Sequence, residues 1–306
     1  MRLVVVFAGQ GGMRREHAGR LLREAPPDIA GALQATLGGD AARIGDLSDT
    51  QLAENRFAQP LICAYQVMLW SRLAPRFPRP VLFAGYSLGE LSAFASAGAL
   101  PPDDAVALAG ERARLMDEAT SGPSGLLAVL GLDEATVRAL AEPLGAEIAI
   151  RNGPAHVVVG GPEPALAELE SVATGAGAQR VVRLGITTPS HTSVLRDAAA
   201  AFGKLLRPRL RRLEVPVLSG VNATVNRSAE AAAAALETQI GTRLDWAACM
   251  DTIATFHTDA VLEIGPGNAL SKMLLETGPR LQVRSTDEFR SDDSVVRWVL
   301  TRKGIS

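Results

Sequence analysis

Residues 81–90 read Val81-Leu82-Phe83-Ala84-Gly85-Tyr86-Ser87-Leu88-Gly89-Glu90. The apolar run up to Ala84 predicts a strand, and Leu91-Ser92-Ala93-Phe94-Ala95 continues at helical spacing. The chain therefore passes from strand to helix through one sharp turn. A serine between two glycines at such a turn is the G-x-S-x-G pattern of a nucleophile elbow. The turn strains Ser87 and raises its hydroxyl above the sheet edge, while Gly85 and Gly89 keep side chains out of the crowded junction. The Leu88 amide, at the head of the new helix, is placed to face an oxyanion. The plain alternative is an ordinary connection with a capping serine, and the motif alone does not separate the two.

With 306 residues, 47% hydrophobic and 21% charged, the chain has the balance of a globular protein with a large core. A formal net charge of -2 offers no electrostatic case for nucleic acid or an anionic membrane as partner. No apolar run is long enough to span a bilayer, and Met1–Phe7 reads as a buried strand rather than a signal peptide. Cys63 and Cys249 sit in apolar helical contexts, so reduced core thiols and a cytoplasmic location are expected. Four scattered histidines without a Cys/His cluster argue against a metal site.

Outward from the elbow, two further strands end in glycine loops: Leu3–Phe7 in Ala8-Gly9-Gln10-Gly11-Gly12, and Ala260–Ile264 in Gly265-Pro266-Gly267-Asn268. If these strands lie parallel to the elbow strand, all three loops share the sheet edge where open α/β folds build their sites. The first loop lacks the dinucleotide-binding glycine spacing. Residues 14–58 are expected to be chemically quiet. A helix is expected over Leu61–Leu73 with Pro60 in its first turn, and further core strands over Val215–Val221 and Ala260–Ile264. In the helix opened by Pro101-Pro102-Asp103-Asp104, Arg112 falls in the middle of the apolar stripe, whereas Glu111, Arg114, Asp117 and Glu118 lie on the solvated side. A guanidinium aimed inward needs an anion or a route to water, so Arg112 is either an internal ion pair or a cation awaiting a ligand carboxylate.

From Leu126 to Leu184 the predicted order is β-α-β-β-α-β, a ferredoxin-like unit. His156, in an alternating strand of that unit, is read as structural. His191 then precedes a helix, whose dipole would keep its imidazole neutral and available as a base. The basic run Arg207, Arg209, Arg211 and Arg212 is a solvated surface or, less simply, a dock for an acidic partner.

Gly9-Gln10-Gly11, the elbow, Arg112 with Leu115-Met116, Pro189-Ser190-His191 and Glu263-Ile264-Gly265-Pro266-Gly267 together resemble the malonyl-CoA:acyl-carrier-protein transacylases and the related acyltransferase domains of polyketide synthases. The resemblance covers nearly the whole chain with its motifs in family order. It implies an α/β fold with an α/β-hydrolase-like core and a mostly parallel sheet, residues 1–122 and 187–306, and an inserted ferredoxin-like small subdomain, residues 123–186. It also implies Ser87 as the acylated nucleophile, His191 as its base and the amides of Gln10 and Leu88 as the oxyanion hole. Arg112 would partner the substrate's free carboxylate, and a backbone carbonyl near Phe256 would orient the histidine. The expected partners are malonyl-CoA or a related acyl-CoA and an acyl carrier protein, with no cofactor.

Three positions depart from the family pattern: Tyr86 for a histidine, Gly220 for an asparagine and Met13 for a glutamine, with Asn222 a possible substitute for the missing amide. They suggest a divergent member, such as the malonyl transferase subunit of malonate decarboxylase. The rivals are a serine esterase or thioesterase, which leaves Arg112 unexplained, and a non-catalytic carrier-binding subunit, which would form no adduct on Ser87.

Overall fold

Leu3–Phe7 and Ala260–Ile264 are buried at every position, as strands covered on both faces must be. The computed structural model describes residues 1–278 and 280–302. Its strands are β1 (Leu3–Phe7), β2 (Leu82–Gly85), β3 (Ser124–Leu130), β4 (Glu147–Gly153), β5 (His156–Pro162), β6 (Arg180–Arg183), β7 (Val217–Leu218), β8 (Val225–Asn226), β9 (Leu244–Asp245), β10 (Ala260–Ile264) and β11 (Val283–Ser285). The larger sheet has the order β11-β10-β1-β2-β7-β8 and is parallel except where β8 meets β7. β10, β1 and β2 are therefore parallel neighbours, and the loops after Ile264, Phe7 and Gly85 leave the same edge.

Side chains alternate across this sheet. Leu3, Val5 and Phe7 join a core built with the helices Asn55–Leu73, Leu88–Ser96, Pro102–Ala119 and Arg196–Leu206. Val4 and Val6 pack on the other side with residues of Trp246–Thr255 and with Leu126, Ala128, Ile150 and Val158 of the smaller sheet. That sheet has the order β6-β3-β5-β4-β9, antiparallel across β6, β3, β5 and β4. Its outer face, including Leu127, Val129, Val157 and Val159, is covered by Glu134–Ala141 and Glu163–Gly175.

The structure departs from the sequence reading in three places. The short strand β9 adds to β4 in parallel, tying a late segment of the chain to the small sheet; two residues are too short a run to register as a strand. Only Val217 and Leu218 of the Val215–Val221 run pair, because Ser219 accepts from the Ala223 amide at 3.0 Å and turns the chain. The helix expected from Leu61 starts at Asn55 and holds Pro60 inside it. Burial of Phe57 and Ala58 draws the extra residues into the helix, although Pro60 has no N–H for the Arg56 carbonyl. Among the described residues no helix is long and apolar enough to cross a membrane.

Candidate active site

The turn after β2 puts Ser87 at φ +53°, ψ −114°, outside the regions open to unstrained L-residues. Its flanking glycines are dictated by contact. A Cβ on Gly85 would lie 2.1 Å from the Gly89 carbonyl carbon, and one on Gly89 would lie 2.1 Å from the Phe7 carbonyl oxygen. The elbow and the first glycine loop are thus interlocked backbone to backbone. Beyond the turn, the amides of Gly89 and Glu90 bond back to the carbonyls of Tyr86 and Ser87 at 2.9 and 3.0 Å, whereas the Leu88 and Gln10 amides take no part in the turn and loop hydrogen bonds among the described residues. The Gln10 side chain donates to the Ala53 carbonyl at 3.0 Å, which anchors its loop.

Ser87 Oγ stands 2.8 Å from His191 Nε2. His191 Nδ1 lies 2.5 Å from the Gln239 carbonyl oxygen, so Nδ1 carries the proton and Nε2 is left as the acceptor. His191 N also donates to the Ile240 carbonyl at 3.0 Å. The residue orienting the histidine is therefore Gln239, not one near Phe256, which caps the end of Trp246–Thr255 instead. A backbone carbonyl carries no signature in the sequence, and the short turn Gln239–Gly241 brings it in.

The origin of histidine neutrality also differs from the sequence reading. His191 lies ahead of a short turn, Ser193–Leu195, and the α-helix begins only at Arg196. Its imidazole is pushed down to about 3 by burial first and by the Arg112 charge second, against the Gln239 carbonyl bond.

Arg112 is 1% exposed. It donates to Gln59 Oε1 at 2.8 Å, to Ser87 Oγ at 3.4 Å and to Gln239 Oε1 at 3.5 Å, all neutral oxygens. Its Nε has no partner among the described residues. Burial lowers its pKa to about 10, with the Glu90 charge acting in the other direction. Glu90, also buried, accepts through Oε2 from the Gly220 amide at 3.1 Å and from Gln239 Nε2 at 3.3 Å. Burial pushes its carboxyl up to about 8, opposed by the Gly220 bond and Arg112. A Cβ at position 220 would come within 2.9 Å of that carboxylate oxygen, so glycine suits the site. Asn222 is exposed and, among the described residues, accepts only from the Thr224 amide at 3.1 Å, so it does not replace the family's amide. Met13 is buried in the core.

Ser87, Arg112, His191 and the Gly9–Gly12 loop open on one cavity of about 490 Å³, walled on its far side by the small sheet. His156 lies on that wall rather than merely in packing. Its Nε2 is 3.4 Å from Asn152 Nδ2, and Tyr86 Oη donates to Asn152 Oδ1 at 3.1 Å. The sequence reading missed Asn55, Gln59 and Gln239. Their visible signal was an amide directly before Pro60 for Gln59, and nothing for the others. Arg207 and Arg209, by contrast, pair with Glu237 and Asp104 at the surface.

The acyl transferase domain family matches residues 6–279. A malonyl CoA-acyl carrier protein transacylase of Haemophilus influenzae is 27% identical over 310 residues, covering 98% of this chain and 99% of that protein. The protein of the same name from Mycobacterium bovis is 33% identical over 239 residues, 76% of this chain and 78% of its own. Among solved structures, an acyl-carrier-protein S-malonyltransferase from Burkholderia pseudomallei superposes with a TM-score of 0.86 at 27% identity, over 97% of this chain and 100% of that one. A malonyl-transacylase in complex with its type II polyketide synthase acyl-carrier protein gives 0.88 at 26% identity, over 97% and 99%. The chain belongs to the acyl transferase domain family, alongside the malonyl CoA-acyl carrier protein transacylases.

Proposed function

We propose that the protein moves a malonyl or related carboxyacyl group from CoA to the phosphopantetheine thiol of an acyl carrier protein through an ester on Ser87. His191 Nε2 takes the hydroxyl proton as Ser87 Oγ attacks the thioester carbonyl, and the amides of Gln10 and Leu88 receive the oxyanion. Collapse breaks the carbon–sulfur bond, and the imidazolium returns its proton to the departing CoA thiolate. The carrier thiol then attacks the acyl-serine by the reverse path. The relatives' names support both substrates. The reading places the enzyme in the cytoplasm, with residues 123–186 as a small subdomain set between 1–122 and 187–306.

One observation carries the substrate class: a fully buried guanidinium beside Ser87 Oγ, bonded among the described residues only to neutral oxygens. A buried charge without a partner costs about 3–5 kcal/mol, so a carboxylate on the acyl group fills a place that acetyl leaves empty. Discrimination against acetyl of about a hundredfold or more follows. The test is intact mass spectrometry after exposure to malonyl-, methylmalonyl- and acetyl-CoA, with and without carriers. Carboxyacyl adducts that vanish in Ser87→Ala and clear on carrier addition are expected, and Arg112→Ala should lose the malonyl preference. Rapid loss of the adduct to water without a carrier would favour an esterase, and absence of any adduct a binding subunit.

A further inference from the structure

Arg112 is the inner end of a hydrogen-bond relay whose outer end lies at the protein surface. Arg112 Nη1 donates to Gln59 Oε1 at 2.8 Å, and Gln59 Nε2 donates to Asn55 Oδ1 at 2.8 Å. Asn55 Nδ2 donates to Asp117 Oδ1 at 2.9 Å and to Thr188 Oγ1 at 3.0 Å. Thr188 Oγ1 lies a further 3.4 Å from the same Asp117 oxygen. Asn55, Gln59 and Thr188 are buried, whereas Asp117 is exposed.

The two ends fix the sense of everything between them. A guanidinium only donates and a carboxylate only accepts. Asp117 therefore turns the Asn55 amide nitrogen outward and its oxygen inward. That oxygen takes the Gln59 nitrogen, which leaves the Gln59 oxygen for Arg112. Were either amide reversed, a donor would face a donor in a buried site and a hydrogen bond would be lost. The relay also crosses elements: Asn55 and Gln59 are one turn apart on Asn55–Leu73, and Arg112 and Asp117 lie on Pro102–Ala119. Thr188 stands three residues before His191.

We infer that Asp117 is a positioning residue for acyl-group selection, which acts through Asn55 and Gln59 to hold Arg112 in place with its charge left for the substrate's carboxylate. The inference rests on the reading of Arg112 as that carboxylate's partner. Because Asp117 touches neither the cavity nor the reacting atoms, its loss affects the malonyl-to-acetyl ratio and spares the acylation chemistry.

The experiment measures rates of malonyl and acetyl loading on Ser87 by quenched intact-mass spectrometry, together with melting temperatures. In Asp117→Leu, malonyl loading is expected to fall about tenfold, with acetyl loading and melting temperature nearly unchanged. Asp117→Asn should restore most of the rate, since its amide oxygen takes both bonds. Asn55→Leu should reproduce the loss, and the double variant Asp117→Leu/Asn55→Leu should be no worse than either alone. An unchanged malonyl-to-acetyl ratio in Asp117→Leu overturns the inference, as does an equal fall in both rates accompanied by lower melting. If the wild-type protein itself shows no preference for malonyl, the reading of Arg112 fails instead, and the two failures are told apart.

Discussion

His191 is placed between opposing demands. A base must be free of its proton at working pH, and a free imidazole titrates near 6.5. Burial holds His191 at about 3, the neighbouring Arg112 charge pushes in the same direction, and the Gln239 carbonyl resists by stabilising the protonated ring. The base is thus ready in the empty enzyme throughout the neutral range. The acid limb of the pH profile of kcat/KM, which reports the free enzyme, is expected well below pH 6.5. In Arg112→Ala one of the two lowering causes is removed while burial remains, so the limb should move upward yet stay below 6.5. Acetyl loading followed from pH 4 to 8 in both proteins checks this without the complication of a substrate carboxylate. A limb that stays where it is in the variant would mean the two cations do not feel one another.

At the scale of the elements, the elbow depends on one helix and two strands meeting with no room for a methyl group. The obstacle at Gly89 is the Phe7 carbonyl oxygen, which belongs to the sheet and is not a movable side-chain tip. Gly89→Ala is therefore expected to destabilise the fold by about 3 kcal/mol or more, at the upper end of overpacking costs, and to abolish acyl loading with it. Thermal melting and intact mass measure the two effects. This junction was legible in the sequence because Gly85, Ser87 and Gly89 must be those residues there. Arg112 was legible because a charge in an apolar stripe breaks the helical pattern. Asn55 and Gln59 were hidden by a helix that begins early, since Phe57 and Ala58 bury themselves and override the boundary suggested by Pro60. Gln239 was hidden for a different reason: it serves His191 through a carbonyl that every residue possesses. Asp117 was read as solvated, and it is exposed, but its hydrogen bonds to Asn55 and Thr188 come from segments distant in the chain.

For the whole molecule, the site places titratable groups deep in the core, and stability must depend on pH accordingly. Glu90 is raised to about 8 and Glu263 to about 7, burial being the first cause in each. Glu263 accepts from the amides of Leu270 and Ser271 at 3.2 and 2.7 Å and so anchors the late glycine loop to the helix after it. For a carboxyl raised above its unfolded value near 4.5, the folded state holds a proton that the unfolded state has released. The contribution is full below pH 4.5 and is lost as pH rises towards 7 and 8. His191 has the opposite sense: its pKa is depressed, so its contribution is present above 6.5 and is lost as pH falls towards 3. The two windows overlap between pH 4.5 and 6.5, and the carboxyls alone govern the climb from 6.5 to 8. The wild-type melting temperature should therefore fall between pH 6.5 and 8.5. Glu90→Gln tests the assignment, because one amide oxygen can take both bonds now made to Oε2 while the ionisation is removed. Its melting temperature relative to wild type is expected to improve steadily from pH 5.5 to 8.5, and a constant difference across that range would exclude Glu90 as the source of the loss. Such a loss as pH rises past neutrality is what carboxyls buried in their protonated form carry.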